Sequence, residues 1–579
     1  MALPEYGFTQ PPQVVCISPT FNQIASTRLP QISAIFSVPM DPSTFTQISY
    51  AVFGERSGYV TGTIAYDSVT RNATFTPHRA FVAGEGVNVN LSRSIKSQTL
   101  DSLKGFTWTF RIPVTHPTQG TFRGPVVYDG FGYGVQCVDM NRDGRPDIIT
   151  SGGVIRLNSG GGQFNMTWSL PDADGFEQIM VDDFNRDGFM DVLYKGNGIK
   201  VGLGNGNGQF LVFTKPIWFD RYVTLDMNSD GFPDIVGARI QDTTSTLSIS
   251  FNDGFGHFND TVSVSRASGW YRQMEKADID NDGDIDVLVI SQKAVDPNGE
   301  HGYEGIVVFK NDGNHGFPQV NYYRANVNLA FPEYLGVADF SNDHYGDAVV
   351  LGNFVGVVSL NLMNGILGTD STSIRRVWGA ETLSPFCIGD FNGDTWTDIL
   401  VSGYRIPFDT ARTTYYSLVK NCAGVFRGCG TPSTFQDTLG YDLRIAAVQA
   451  ADVDGDGDLD LVNAGGGVLV CLNEDSTLTV DEYEISPSKL DLLQNYPNPF
   501  NAGTTISFHL SAKEKVRLTI YNIIGKEVKR LHDDVLPPGW YKTVWYADDA
   551  RGQSVPSGVY VIRLELFRST MSLKSLLLK

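Results

Sequence analysis

Short runs of alternating or β-branched hydrophobic residues, cut by Gly, Pro, Asn and Asp, recur along the whole chain, with no long helical period among them. In residues 11–114, behind a lead of 1–10, the runs ISAIFSVPMD (32–41), VTGTIAYD (60–67), NATFTPH (72–78), VNVNLSRSI (87–95) and FTWTFRI (106–112) predict an antiparallel sandwich. In 121–475 the runs DIITSG (147–152), DIVGAR (234–239), DVLVIS (286–291) and DLVNAG (460–465) predict strands, each opening on an aspartate. A polar linker, 476–489, leads to 490–579, where VRLTIYNIIGKEVKRL (516–531) and the turns Pro538-Gly539 and Pro556-Ser557-Gly558 predict a second, smaller sandwich. The expected fold class is all-β.

The aspartates that open the strands in 121–475 close a nine-residue acidic pattern that occurs seven times. Oxygen side chains stand at positions 1, 3, 5 and 9. They are Asp139, Asn141, Asp143 and Asp147 in loop 1; Asp183, Asn185, Asp187 and Asp191 in loop 2; and Asp226, Asn228, Asp230 and Asp234 in loop 3. Loop 4 has Asp278, Asp280, Asp282 and Asp286; loop 5 has Asp339, Ser341, Asp343 and Asp347. Loop 6 has Asp390, Asn392, Asp394 and Asp398; loop 7 has Asp452, Asp454, Asp456 and Asp460. This spacing lets a tight turn wrap its oxygens around one hard cation, with the position 7 carbonyl adding another. Glycine follows position 5 in five copies, where a left-handed turn is expected; His344 and Thr395 replace it in loops 5 and 6. Ligand sets filled by protein oxygens point to structural Ca²⁺, five to seven ions. Loops 4 and 7 should bind tightest, and loop 5 is the weakest candidate.

The copies lie 43 to 62 residues apart, a period suited to one four-stranded blade each. With the in-phase segments IRLNSGGGQF, VGLGNGNGQF and ISFNDGFGHF, residues 121–475 resemble a seven-bladed FG-GAP or VCBS-type β-propeller, the repeat class shared with integrin α-subunit heads. The strand in 121–128 has no acidic loop of its own and is expected to complete the last blade, which removes two exposed edges.

Formal charge is −20. The loop positions alone carry 23 carboxylates, and seven divalent ions would leave about −6, so the acidity points to metal ligation and away from nucleic acid. No run of 18 apolar residues is present, so no membrane span is expected. Among six cysteines, Cys422 and Cys429 are close enough for a local disulfide; two free thiols is the other possibility. The N-terminus has neither a basic nor an apolar leader region, and a signal peptide is expected to be absent from this chain.

Residues 11–114 resemble a bacterial Ig-like domain through Ser18-Pro19, Phe36-Ser37-Val38-Pro39-Met40-Asp41, Phe75-Thr76-Pro77 and Trp108-Thr109-Phe110. Residues 490–579 resemble the type IX secretion sorting domain through NYPNPFN (495–501), Tyr521-Asn522, Gly525, Val559-Tyr560 and the basic-ended tail. That resemblance implies recognition by the outer-membrane export machinery and a place on the bacterial cell surface.

No HExxH, GxSxG or phosphate-binding loop appears, and the eight histidines are scattered, so the chain is not expected to be an enzyme. Aromatics ahead of each first strand suggest a glycan- or protein-binding face opposite the metal loops: Trp218, Tyr222, Trp270, Tyr271, Tyr334 and Trp378, with Phe131, Tyr133 and Phe219 nearby. The same rings could instead be wedges between blades. A secreted adhesion or binding protein is expected; a polysaccharide-degrading enzyme and a self-associating surface-layer or filament component are the alternatives.

Overall fold

The computed structural model describes residues 11–578 apart from 117, 119–121, 124, 174–177, 197, 216, 242–243, 269, 295–302, 314–315, 325–329, 354, 360, 362–365, 368–373, 379–384, 406–412, 423–424, 429–432, 437–444, 474–490, 493–499, 502, 511–512, 524, 537–538 and 567–569. The linker 476–489, Cys429 and most of NYPNPFN therefore lie outside the described residues, as do the side chains of Cys422 and Trp378. The described chain is all-β, with one short 3₁₀ turn at Pro42–Thr44. No described helix is long and apolar enough to cross a membrane. Contacts divide the chain into two compact units, Met1–Ser476 and Thr477–Lys579.

The first unit begins with two four-stranded sheets facing each other. One has the order Val14–Ser18, Ile32–Phe36, Asn72–Pro77, Gly62–Asp67; the other Gly58–Tyr59, Tyr50–Gly54, Gly86–Leu91, Phe106–Arg111. Alternation puts Ile32, Ala34 and Phe36 inward against Val87, Val89, Trp108 and Phe110, all fully buried. The indole of Trp108 donates to the Pro19 carbonyl at 3.0 Å, so its one polar atom is satisfied in the core. Val14–Ser18 and Tyr50–Gly54 are strands that the sequence pattern alone does not mark.

Seven antiparallel sheets follow; the first six take their strands in sequence order, the sixth carrying an extra strand, Ser433–Gln436, and the seventh borrows its outer strand from the start of the segment. The first strands are Val135–Val138, Ile179–Asp182, Arg221–Leu225, Trp270–Ala277, Ala330–Ala338, Phe386–Gly389 and Ile445–Ala451. Each touches the next in turn, and Ile445–Ala451 touches Val135–Val138 again. The second strands, Asp147–Thr150 among them, are buried on both faces, which explains their continuous β-branched runs. The last sheet is completed by Val126–Tyr128, paired with Val468–Cys471 as the edge argument expects. Hydrophobic clusters sit between successive sheets, for example Val138, Ile149 and Ile155 with Ile179 and Val192.

The second unit holds a sheet of Asp491–Leu492, Thr504–Leu510 and Gly539–Trp545, and another of Glu527–Leu536, Glu514–Asn522, Gly558–Glu565 and Thr570–Leu577. Its own core contains Phe508, Leu518, Ile520, Trp545, Ile562 and Leu564, all at zero exposure.

Candidate metal centre and its surroundings

Each acidic loop joins the first and second strands of its sheet, and all seven share one backbone conformation. Position 4 is left-handed throughout: Arg142, Arg186, Ser229, Asn281, Asn342, Gly393 and Gly455 have φ from 55° at Arg186 to 84° at Gly455. Position 6 is left-handed too, including His344 at 74° and Thr395 at 72°. A β-branched residue at such an angle is strained, so loop 6 holds its shape against a local preference. The first aspartate bridges the turn in six loops; in loop 1, Asp139 accepts from Asp143 N–H at 3.0 Å and Gly144 N–H at 2.9 Å.

The position 9 aspartates are braces as well as candidate ligands. In every loop Oδ2 accepts the N–H of position 2, at 2.8–3.3 Å. Oδ1 accepts an N–H at the end of the third strand, at 2.6–2.8 Å. These groups are buried, and burial pushes the carboxyls of Asp147, Asp191 and Asp398 up to about 8 and that of Asp347 up to about 7.

Loops 4 and 7 bring carboxylates closest together. Asp278, Asp280 and Asp286, and likewise Asp452, Asp454 and Asp460, each place oxygens within 4.8 Å of one another. Asp280 Oδ1, Asp452 Oδ2 and Asp458 Oδ1 are buried with no hydrogen-bond partner. Among the described residues, Lys310 stands 3.0 Å from Asp280 and Arg28 3.7 Å from Asp452, one cation against several clustered carboxylates in each loop. The clusters with their orphaned buried oxygens therefore fit a further hard cation. Asp458, at position 7 of loop 7, is a fifth carboxylate there; burial, then Asp460, pushes it up to about 9.

One recurrent residue escaped the sequence reading. Asparagines close the third strands at Asn158, Asn252, Asn311, Asn361, Asn421 and Asn473, with Gly204 in the second sheet. Five of them reach the preceding sheet's loop: Asn158 to Val453 O (2.7 Å), Asn252 to Phe184 O (2.8 Å), Asn361 to Ile279 O (2.6 Å), Asn421 to Phe340 O (2.7 Å) and Asn473 to Phe391 O (3.3 Å). The signal was the repeated Asn in RLNSG, SFNDG and CLNED, which reads as turn chemistry until the neighbouring sheet is in place.

The N-terminal sandwich packs on the acidic loops. Arg79 donates to Asp139, Asn90 to Asp226 Oδ2 at 2.9 Å, and Lys104 to Asp284 at 2.7 Å. Asn22 donates to the His344 carbonyl at 3.0 Å, Arg111 to Thr397 at 3.1 Å, and Thr115 N–H to the Gly457 carbonyl at 2.8 Å. At loop 2, the Arg186 guanidinium stands 5.9 Å from the Tyr59 ring. A cavity of about 540 Å³ lies between the sandwich and the first strands, lined by Phe53, Arg56, Arg111, Gln273, Glu275 and Tyr334 among others.

The aromatic candidates divide. Tyr222 and Tyr271 are corrected from ligand-face residues to packing residues: both are buried, the Tyr222 hydroxyl donating to Gln178 O and the Tyr271 ring lying 6.1 Å from Phe309. Their places in the strand turn them between sheets, where a large ring fills the gap. Tyr334 is half-buried, its hydroxyl pushed up to about 12 by burial. Trp270 is half-buried with the Arg272 guanidinium 5.8 Å from its ring. Trp218 is 48% exposed, and Phe131 and Tyr133, 44% and 47% exposed, meet edge to face at 5.3 Å.

The comparisons with known proteins follow the same three segments. Residues 139–194 and 226–289 match the FG-GAP-like repeat, and residues 8–112 match the bacterial Ig-like domain. Residues 494–577 match the secretion system C-terminal sorting domain. The protein is secreted to the outer cell surface. The sorting domain implies interaction with the type IX export machinery. No curated protein matches the chain. Similar solved structures include an Agrocybe aegerita lectin described as recognising non-reducing terminal N-acetylglucosamine, 18% identical over 72% of this chain and 95% of that one, with a TM-score of 0.37. PorZ of the Porphyromonas gingivalis type IX secretion system is 10% identical over 98% and 99%, TM-score 0.18. The N-terminal part of the bacterial S-layer protein SbsC is 12% identical over 35% and 44%, TM-score 0.15. Scores this low assign neither fold nor function.

Proposed function

We propose that residues 121–475 close into a seven-bladed β-propeller, stabilised by Ca²⁺ in its acidic loops, and that the protein is a non-enzymatic binding or adhesion module of the cell surface. The first strands touching in a closed series, and the Val126–Tyr128 strand completing the seventh sheet, support the ring. The ions are structural, because the loops surround them with protein oxygens and the sandwich covers that side.

The observation that carries the binding role is the placement of the exposed aromatics. Phe131, Tyr133 and Trp218 precede their first strands, at the end away from the acidic loops, so they belong to the face that the sandwich leaves open. Exposed rings at nearly half their full area are suited to stacking on sugar rings or gripping an extended peptide. A glycan and matrix-protein binding screen with and without Ca²⁺ tests the reading. Retention of a defined glycan or protein supports it, whereas no ligand together with self-association of the purified chain would replace it with an architectural role.

A further inference from the structure

We propose that a divalent cation in the acidic loops seats the N-terminal sandwich, so that ion binding and docking form one coupled equilibrium; the proposal rests on the cation reading above. The ion-wrapping turn and the docking surface are built on the same loop backbone. Ser229 at position 4 and Gly283, His344 and Gly457 at position 6 have φ of 57°, 91°, 74° and 101°. Their carbonyls accept from Arg93 N–H (2.8 Å), Thr107 N–H (2.7 Å), Asn22 Nδ2 (3.0 Å) and Thr115 N–H (2.8 Å) of the sandwich and the segment after it. Those carbonyls point at the sandwich only while the loops keep their left-handed turns.

The first carboxylates are shared as well. Asp139 and Asp226 each accept loop N–H groups on both carboxylate oxygens, and the Oδ2 that holds position 6 N–H also accepts from Arg79 and Asn90. The fit is close: a Cβ on Gly105 would come within 2.2 Å of Ser229 Cβ, and one on Gly283 within 2.4 Å of the Phe106 ring. A small change in loop shape therefore unseats the surface. Without a divalent cation, the carboxylates within 4.8 Å of one another in loops 4 and 7 repel. Among the described residues each cluster has one facing side-chain cation, Lys310 at 3.0 Å from Asp280 and Arg28 of the sandwich at 3.7 Å from Asp452 Oδ2, which has no hydrogen-bond partner. Opening the turn relieves that repulsion and withdraws the carbonyls.

Hydrogen exchange of the full chain tests the coupling, with bound Ca²⁺ followed by calorimetry. Chelation should speed exchange of peptides holding Arg93, Thr107 and Thr115 by about tenfold or more, while Ile32–Phe36 and Asp147–Thr150 stay protected. By linkage, the uncharged pair Asn22→Leu with Asn90→Leu should weaken Ca²⁺ binding by about fivefold. Ca²⁺ binding with unchanged interface exchange and an unaffected double variant would overturn the coupling alone. Strands that lose protection together with the interface would overturn it too, since the sheets would then melt as one. Absence of any bound Ca²⁺ would remove the cation reading itself, and the coupling with it.

Discussion

Asn158 donates through Nδ2 to the Val453 carbonyl at 2.7 Å and joins residues 295 apart in the chain. This bond ties the end of the first sheet to the seventh acidic loop, and Asn252, Asn361, Asn421 and Asn473 repeat it at four other junctions. Removing such a group leaves buried carbonyls unpaired, at about 1–3 kcal/mol each. Asn158→Ala and Asn252→Ala should each lower the melting temperature by several degrees, whereas Asn205→Ala, at an exposed turn, should not. Equal melting curves for all three would remove the latch.

Ions bound only by the folded chain stabilise it by about 2.7 kcal/mol each at a hundredfold excess over Kd. EDTA should lower the melting temperature by many degrees, and Asp282→Ala or Asp456→Ala should produce part of that loss. A curve that does not move in excess chelator excludes structural Ca²⁺.

The pH response of the chelated chain has a definite sign. Burial raises the carboxyls of Asp147, Asp191 and Asp398 to about 8 in the folded state, from an ordinary value of 3.8. The folded chain then binds more protons than the unfolded one, so stability is full below the unfolded value and is lost as pH rises through about 8. Thermal scans in EDTA should therefore show a lower melting temperature at pH 8 than at pH 5. Added Ca²⁺ should oppose that decline, because it favours the charged carboxylates.

Exposed and buried rings should respond differently to truncation. Phe131→Ala with Trp218→Ala should abolish ligand retention in the binding screen while moving the melting temperature by no more than a degree or two. Tyr222→Ala removes a fully buried ring and should cost about 3–5 kcal/mol. If the exposed pair proves the more destabilising, the open face loses its assignment.

The sorting unit should be separable. Residues Thr477–Lys579 form their own compact unit with their own core. Deleting 490–579 should leave a folded chain that stays in the periplasm of its native host, and fusing 490–579 to a foreign periplasmic protein should carry that protein to the surface. Surface display of the truncated chain would show that the segment is not the address.

The three segments, the strand-opening aspartates and the pairing of Val126–Tyr128 with the last sheet were legible in the sequence, because each depends on local periodicity or on a count of edges. The left-handed turn at position 6 was legible for the same reason in the five loops with glycine there, whereas the left-handed position 4 shared by all seven loops was not. The tertiary structure alone decided three other matters. It put Tyr222 and Tyr271 between sheets rather than on a face, since the direction of a ring before a strand depends on which neighbour fills the gap. Turn-like asparagines became inter-sheet latches once the preceding loop stood beside them. Finally, it set the sandwich over the acidic loops, through partners such as Asn22 and His344, 322 residues apart, that no local pattern can pair. Local rules determine what each segment becomes; long-range packing determines which of its polar groups still need a partner, and the sandwich supplies many of them.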